Sequence, residues 1–196
     1  DGKGQVRCAS YDDLAAAWDS VGNVPCVLEQ RLTLARELSM VLARTVDGNV
    51  ACYPVSQNQH VHGILDVSYT PANLPGTGPA DAVELCTYIA EELQFVGVMA
   101  VEMFVVNRNV LVNELAPRPH NSGHYTLDAC ATSQFEQQVR AVCGVGLGDT
   151  KLLVPGVAMV NLLGEIWAAG EPNWQQVLAN SSAHLHLYGK AEPRPG

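Results

Sequence analysis

Apolar and polar positions along this chain switch between a two-residue and a helical period, and the switches outline its elements. Glu37 to Thr45 reads as a long strand. Asp47-Gly48-Asn49 signals a hairpin, and Val50 to Tyr53 returns. His60 to His62 and Ile64 to Tyr69 add strand pieces, and Pro71 to Pro79 is loop by composition. Val98 to Val106 and Val110 to Val112 form two apolar runs around Asn107-Arg108-Asn109. Shorter strands are expected at Gln5 to Ala9, Cys26 to Arg31, Val157 to Leu163 and Ala183 to Tyr188. Ser10 offers an N-cap, with Asp13 three residues on, for a helix through Leu14 to Trp18. Val83, Leu85, Cys86, Ile89, Ala90 and Leu93 stand at helical spacing within Ala80 to Leu93. Ser133 to Cys143 and Trp174 to Leu178 complete the helices. Strands with helices at intervals predict an α+β fold, an α/β sandwich.

Composition narrows the partners. With 196 residues, 47% of them hydrophobic, the chain can bury a sizeable core in one domain, with room for a small attached lobe. A formal charge of −9 argues against nucleic acid, because no basic surplus is available to neutralise a polyphosphate backbone. It does not argue against a nucleotide, whose few phosphates need only local cations. The six cysteines are scattered, without a Cys-x-x-Cys pair, so a structural zinc site is not expected and most read as reduced core thiols. No signal peptide and no bilayer-length apolar run is visible, so the expectation is a cytoplasmic protein with no membrane partner.

Chemistry concentrates in Asn113-Glu114-Leu115-Ala116-Pro117-Arg118-Pro119-His120-Asn121-Ser122-Gly123-His124, where an acid, an arginine and two histidines follow a hydrophobic strand. With Arg108 at the centre of a three-residue hairpin loop, Glu102 falls opposite Glu114. Two carboxylates facing across a ladder repel each other. They persist together where one is protonated, where basic groups surround them, or where a divalent cation lies between. The bland alternative is a solvated strand end. Arg118 and His120 beside the pair favour a site: Arg grips planar oxyanions with parallel hydrogen bonds, and His donates to an oxyanion or moves a proton.

The run from Asn113 to Thr126 resembles the signature of the 5-(carboxyamino)imidazole ribonucleotide synthase family, ATP-grasp enzymes of purine biosynthesis. The likeness extends to Asp1-Gly2-Lys3-Gly4-Gln5, Val27-Leu28-Glu29-Gln30, Arg36-Glu37-Leu38-Ser39, Tyr53-Pro54 through Asn58, His60, Gly63-Ile64-Leu65 and His184-Leu185-His186-Leu187-Tyr188-Gly189-Lys190. It covers essentially the whole chain. It implies the large lobe of an ATP-grasp fold with part of the small lid lobe: residues 1–33 as the remainder of the lid, 34–196 as the large lobe carrying the metal and substrate sites.

The resemblance also implies roles. Asp1, Gly2, Lys3, Gly4, Gln5, Val6 and Arg7 belong to the end of a phosphate loop over ATP. The backbone of Glu29, Gln30, Arg31 and Leu32 lies along the adenine edge. Glu37 takes the ribose hydroxyls, His60 contacts the nucleotide, and Asn113 lies near the phosphates. Mg²⁺ leans on Glu102 and Glu114, because Glu114-Leu115-Ala116 lacks the Asn of the Glu-x-Asn found in many ATP-grasp enzymes. Arg118 and His120 act on bicarbonate or the carboxyphosphate made from it. Asn121 and Ser122 line the substrate pocket, while Lys190 and Arg194 hold the phosphate of 5-aminoimidazole ribonucleotide. His62 is left in a loop.

The implied reaction is ATP-dependent carboxylation of that ribonucleotide with bicarbonate, by an enzyme that is a homodimer at full length. Two alternatives stay open: an ATP-grasp ligase with another acceptor, or a non-catalytic nucleotide-binding piece. The chain's ends also suggest an internal fragment of a longer enzyme.

Overall fold

In the computed structural model, which describes residues 4–74, 76 and 78–189, one seven-stranded antiparallel sheet organises the chain. Its strands are β1 (Arg36–Arg44), β2 (Val50–Cys52), β3 (Ser56–Val61), β4 (Ile64–Thr70), β5 (Gly97–Val106), β6 (Asn109–Ala116) and β7 (Val157–Val160). They lie in the order β6-β5-β1-β3-β4-β7, with β2 also pairing β1. The helices are α1 (Leu14–Ser20), α2 (Gly78–Glu92), α3 (Thr126–Ala129), α4 (Gln134–Val142) and α5 (Trp174–Leu178).

β1 is central and buried from Leu38 to Ala43, which explains its nearly continuous apolar run. Its alternate residues feed two cores. Leu38, Met40 and Leu42 join Met99, Val101 and Met103 of β5 on one face, under Ala82, Cys86 and Ala90 of α2. Those three helix residues repeat every four positions, and their small size lets α2 lie close to the sheet. Burying a side chain such as Leu42 contributes about 1.5–3 kcal/mol. On the opposite face Val41, Ala43, Val98 and Ala100 pack with Tyr53, Ala116, Tyr125, Ala129 and Cys130. Further along the same strands this second face turns polar: Glu37 and Ser39 of β1, Glu102 of β5, and Asn58 and His60 of β3.

Three of the expected strands are absent. Gln5 to Ala9, Cys26 to Arg31 and Ala183 to Tyr188 carry strand-forming residues but make no ladder in the described structure. A strand is stable only against a neighbour, and Val27 and Leu28 are 85% and 69% exposed. The last expected strand on β4 stops at Val160 rather than Leu163, and α2 begins at Gly78, inside the expected loop. Ser10 caps as expected, at a 3-10 turn (Tyr11–Asp13) that runs into α1. The Asp13 carboxylate accepts from the Ser10 N–H at 2.9 Å and the Ala9 N–H at 2.8 Å. Cysteine burial is more varied than expected: all six are unpaired, but only Cys86 and Cys130 are buried, while Cys26 and Cys143 are exposed.

Candidate active site

Glu102 and Glu114 do face each other, by a different route from the one the loop suggests. Val106 pairs with Asn109, so the turn has two residues, Asn107-Arg108, with φ of 49° and 72°. Positive φ at both central positions is the signature of a type I′ turn, whose twist matches the flanking strands. A regular ladder from that turn would pair Asn113 with Glu102 and turn Glu114 toward the α2 core. Instead the register slips between Glu102 and Met103: Met103 pairs with Val112, Glu102 with Glu114. Asn113 is the extra residue, a bulge that re-aims Glu114 onto the polar face. The unexpected turn and the unexpected bulge offset each other.

Glu102 is the more enclosed acid, with 19% of its side chain exposed, whereas Glu114 lies on the exposed edge strand. His120 Nε2 lies 3.1 Å from Glu102 Oε1. This hydrogen bond, the largest influence, holds the Glu102 carboxyl below the usual range, against burial, which acts the other way. On the other side of the ring, the Ser122 N–H donates to His120 Nδ1 at 3.3 Å, and Ser122 Oγ lies 2.9 Å from the same nitrogen. A backbone N–H can only donate, so Nδ1 is the acceptor and Nε2 carries the proton that points at Glu102.

Gln134, which the sequence reading did not single out, holds this loop. It is fully buried, its Oε1 accepting from the His120 N–H at 2.9 Å and its Nε2 donating to the His120 carbonyl at 2.7 Å. Thr126 Oγ1 accepts from the Gln134 N–H at 2.9 Å and donates to the Gly123 carbonyl at 2.7 Å. Gly123 has no room for a side chain: an added Cβ would lie 2.6 Å from Gln134 Oε1 and 2.8 Å from Val41 Cγ2. Its neighbour His124 is held below the usual imidazole range, first by burial and then by His120 and His186.

Glu37 and His60 also come together, their carboxylate and Nδ1 in contact across β1 and β3. Between them and the carboxylate pair lies a buried polar track. Ser39 is the ladder partner of both Glu102 and Ser56. Asn58 Oδ1 accepts from Ser68 Oγ at 2.8 Å, while its buried amide nitrogen has no partner among the described residues. Asn121 Oδ1 is also buried and has no partner among the described residues. Serines and an asparagine at inward strand positions are the signal that could have marked this track in the sequence. His62 lies with Gly63 in the tight turn between β3 and β4, both at positive φ.

The remaining expected residues are less converged. Gly4, Gln5, Val6, Arg7, Glu29, Gln30 and Arg31 are exposed, and Leu32 is half-buried. Arg118 is exposed and donates to the Pro119 carbonyl at 3.1 Å. Ser122 is fully buried and turned to His120. Asp1, Gly2, Lys3, Lys190 and Arg194 lie outside the described residues. Among the described residues no group of three or more acidic, histidine or cysteine side chains closes a metal cage. Two facing carboxylates nevertheless fit magnesium, which takes one or two protein carboxylates and completes its shell with water and phosphate oxygens.

Comparison with known proteins identifies the fold. The ATP-grasp domain model matches residues 1–135, and that of the phosphoribosylaminoimidazole carboxylase C-terminal domain matches residues 157–196. The chain is 44% identical to N5-carboxyaminoimidazole ribonucleotide synthase of Bacillus subtilis, covering 100% of this chain and 51% of that protein. The crystal structure of the Thermus thermophilus synthetase superposes with a TM-score of 0.87 at 40% identity, over 95% of this chain and 50% of that one. The Aspergillus clavatus synthase, solved with ADP and 5-aminoimidazole ribonucleotide, gives 0.84 at 30%, over 97% and 52%. The chain thus spans about half the length of these relatives. Its mixed helices and antiparallel sheet superpose on theirs, and the domain match runs through the strands that carry both carboxylates, so this chain belongs to the ATP-grasp family.

Proposed function

We propose that this chain carries the catalytic half of an enzyme that carboxylates 5-aminoimidazole ribonucleotide with bicarbonate at the expense of ATP. The observation that carries the reading is the Glu102/Glu114 pair, facing on the polar side of the sheet with His120 hydrogen-bonded to Glu102. The relatives' names and the A. clavatus complex support the choice of ribonucleotide.

In this reading ATP lies along residues Glu29 to Leu32, with Glu37 on the ribose, His60 fixing Glu37, and Asn113 near the phosphates. The loop from Asp1 to Arg7 covers the phosphates, residues 1–33 acting as lid and 34–196 as large lobe. Glu102 and Glu114 hold Mg²⁺, which when bound supplies charge neutralisation at the phosphate oxygens. Bicarbonate oxygen attacks the γ-phosphorus, the bond to ADP breaks, and carboxyphosphate forms. The ribonucleotide amine then attacks the carboxy carbon, or CO₂ released from it, and phosphate leaves. Arg118 swings from the Pro119 carbonyl to the carboxy group, and His120 Nε2–H faces the same region. Asn121 offers its free carbonyl oxygen to the substrate, and Ser122 acts through His120. Lys190 and Arg194 take the ribonucleotide phosphate. The full-length protein is a cytoplasmic homodimer.

The test uses the full-length protein with MgATP, ¹³C-bicarbonate and the ribonucleotide. Wild type forms an acid-labile labelled carbamate. Glu114→Gln loses carbamate and ADP formation together, by at least 100-fold; near-wild-type ADP formation in that variant contradicts the metal assignment.

A further inference from the structure

The carboxylate of Asp128 in α3 stands outside the machinery described so far, yet two histidines from a distant part of the chain converge on it. His186 Nε2 lies 2.7 Å from Asp128 Oδ2, and His184 Nδ1 lies 3.5 Å from Asp128 Oδ1. Each histidine takes its own carboxylate oxygen. The His186 contact is a hydrogen bond and the His184 contact a longer polar one, so one side chain restrains two alternate residues of a segment. That segment has no ladder of its own, since residues 183–189 form no regular structure. Its side-chain contacts to Asp128 therefore matter more than they would in a strand.

The position of the contact gives it a consequence. Asp128 lies four residues past His124 and eight past His120, within the ATP-grasp match, whereas His184 and His186 lie in the C-terminal match. The contact joins the two matched regions beside the histidine loop. In sequence, Leu187, Tyr188, Gly189 and Lys190 follow directly.

We propose that Asp128 is a positioning residue: it clasps the His184–His186 segment against the histidine loop and so preorganises the ribonucleotide side of the site. This rests on the function proposed above. Its logic is entropic. A segment already restrained loses less freedom when ligand binds, so the clasp favours ribonucleotide affinity and leaves the ATP side alone.

The test compares wild type, Asp128→Ala and Asp128→Asn in the full-length protein by steady-state kinetics and by amide hydrogen exchange. Asp128→Ala should raise KM for the ribonucleotide about tenfold, with KM for ATP and kcat within about twofold. Amide exchange across residues 183–189 should quicken. Asp128→Asn keeps one acceptor oxygen and should fall between, which also covers the case in which the alanine variant does not fold. An unchanged ribonucleotide KM, a parallel rise in KM for ATP, or an unchanged exchange profile overturns the clasp. If wild-type ADP release ignores the ribonucleotide, the proposed function fails instead. Exchange alone then decides whether Asp128 holds the segment.

Discussion

Removing the Gln134 amide leaves the His120 N–H without its partner in a half-buried loop, at about 1–3 kcal/mol, while the His120 carbonyl keeps the Gly123 N–H as donor at 3.0 Å. Gln134→Leu should therefore lower unfolding free energy by about 1–3 kcal/mol in urea denaturation; a loss below about 0.5 kcal/mol would mean that water replaces the amide. His124 gives a pH prediction. Its folded-state pKa is depressed by burial, so the unfolded chain binds the proton more readily. Stability is fully present above the ordinary imidazole value and is lost as pH falls through the depressed one. Glu102 adds to the same trend at lower pH, its carboxyl being depressed by the His120 hydrogen bond. In His124→Asn the drop in urea midpoint between pH 8 and pH 5.5 should shrink; an unchanged drop would place the acid sensitivity elsewhere. At this scale the sequence spoke clearly only for charged residues in a dense run. Gln134 was silent because a glutamine's role depends on which backbone it meets, and that is decided by the fold.

The β5–β6 hairpin shows how an element can be read correctly in outcome and wrongly in mechanism. Two apolar runs around an Asn-rich loop announce a hairpin, and the facing carboxylates follow from counting along it. Neither the two-residue turn nor the Asn113 bulge is written in local propensity, because a bulge is selected by what both faces of the strand must pack against. Arg108 pays for the tight turn with a left-handed backbone. Arg108→Gly gives the Asn-Gly pair that type I′ turns favour and should raise stability by about 0.5–1 kcal/mol without altering ATP turnover; a loss of stability would contradict the turn assignment. Helix α4 carries the opposite lesson. Phe135, Val139 and Val142 repeat at helical spacing, yet the buried stripe is Gln134, Gln137 and Ala141. Gln137 brackets Gly148 through both amide atoms, and Gln138 accepts from the Val98 N–H at 2.6 Å, so this helix packs largely by clamping backbone groups. The apolar-stripe rule selects the wrong face because hydrogen bonds, not methyl groups, fill the inner one.

Across the whole molecule, the two faces of one sheet divide the labour. The face under α2 is apolar from edge to edge of the core, and the other grades along its strands from Val41 and Ala43 to Ser39 and Glu37. That gradient places the carboxylate pair, the Glu37–His60 contact and the histidine loop on one polar surface. The strand periods, α2 and the acid-histidine run were legible because each is a local pattern. Residues 5–9, 26–31 and 183–188 have strand-like patterns but form no strand, because a strand needs a neighbour and no local pattern supplies one. A net charge of −9 is compatible with a nucleotide ligand, whose few phosphates need only local cations. In the proposed function, ATP consumption at this surface is tied to one amine acceptor. This coupling is tested most directly by measuring ADP release from the full-length protein with MgATP and bicarbonate, with and without 5-aminoimidazole ribonucleotide. Adding the ribonucleotide should raise the rate at least about tenfold over the same mixture without it, a margin well beyond slow uncoupled hydrolysis. An equal rate in both mixtures would contradict it.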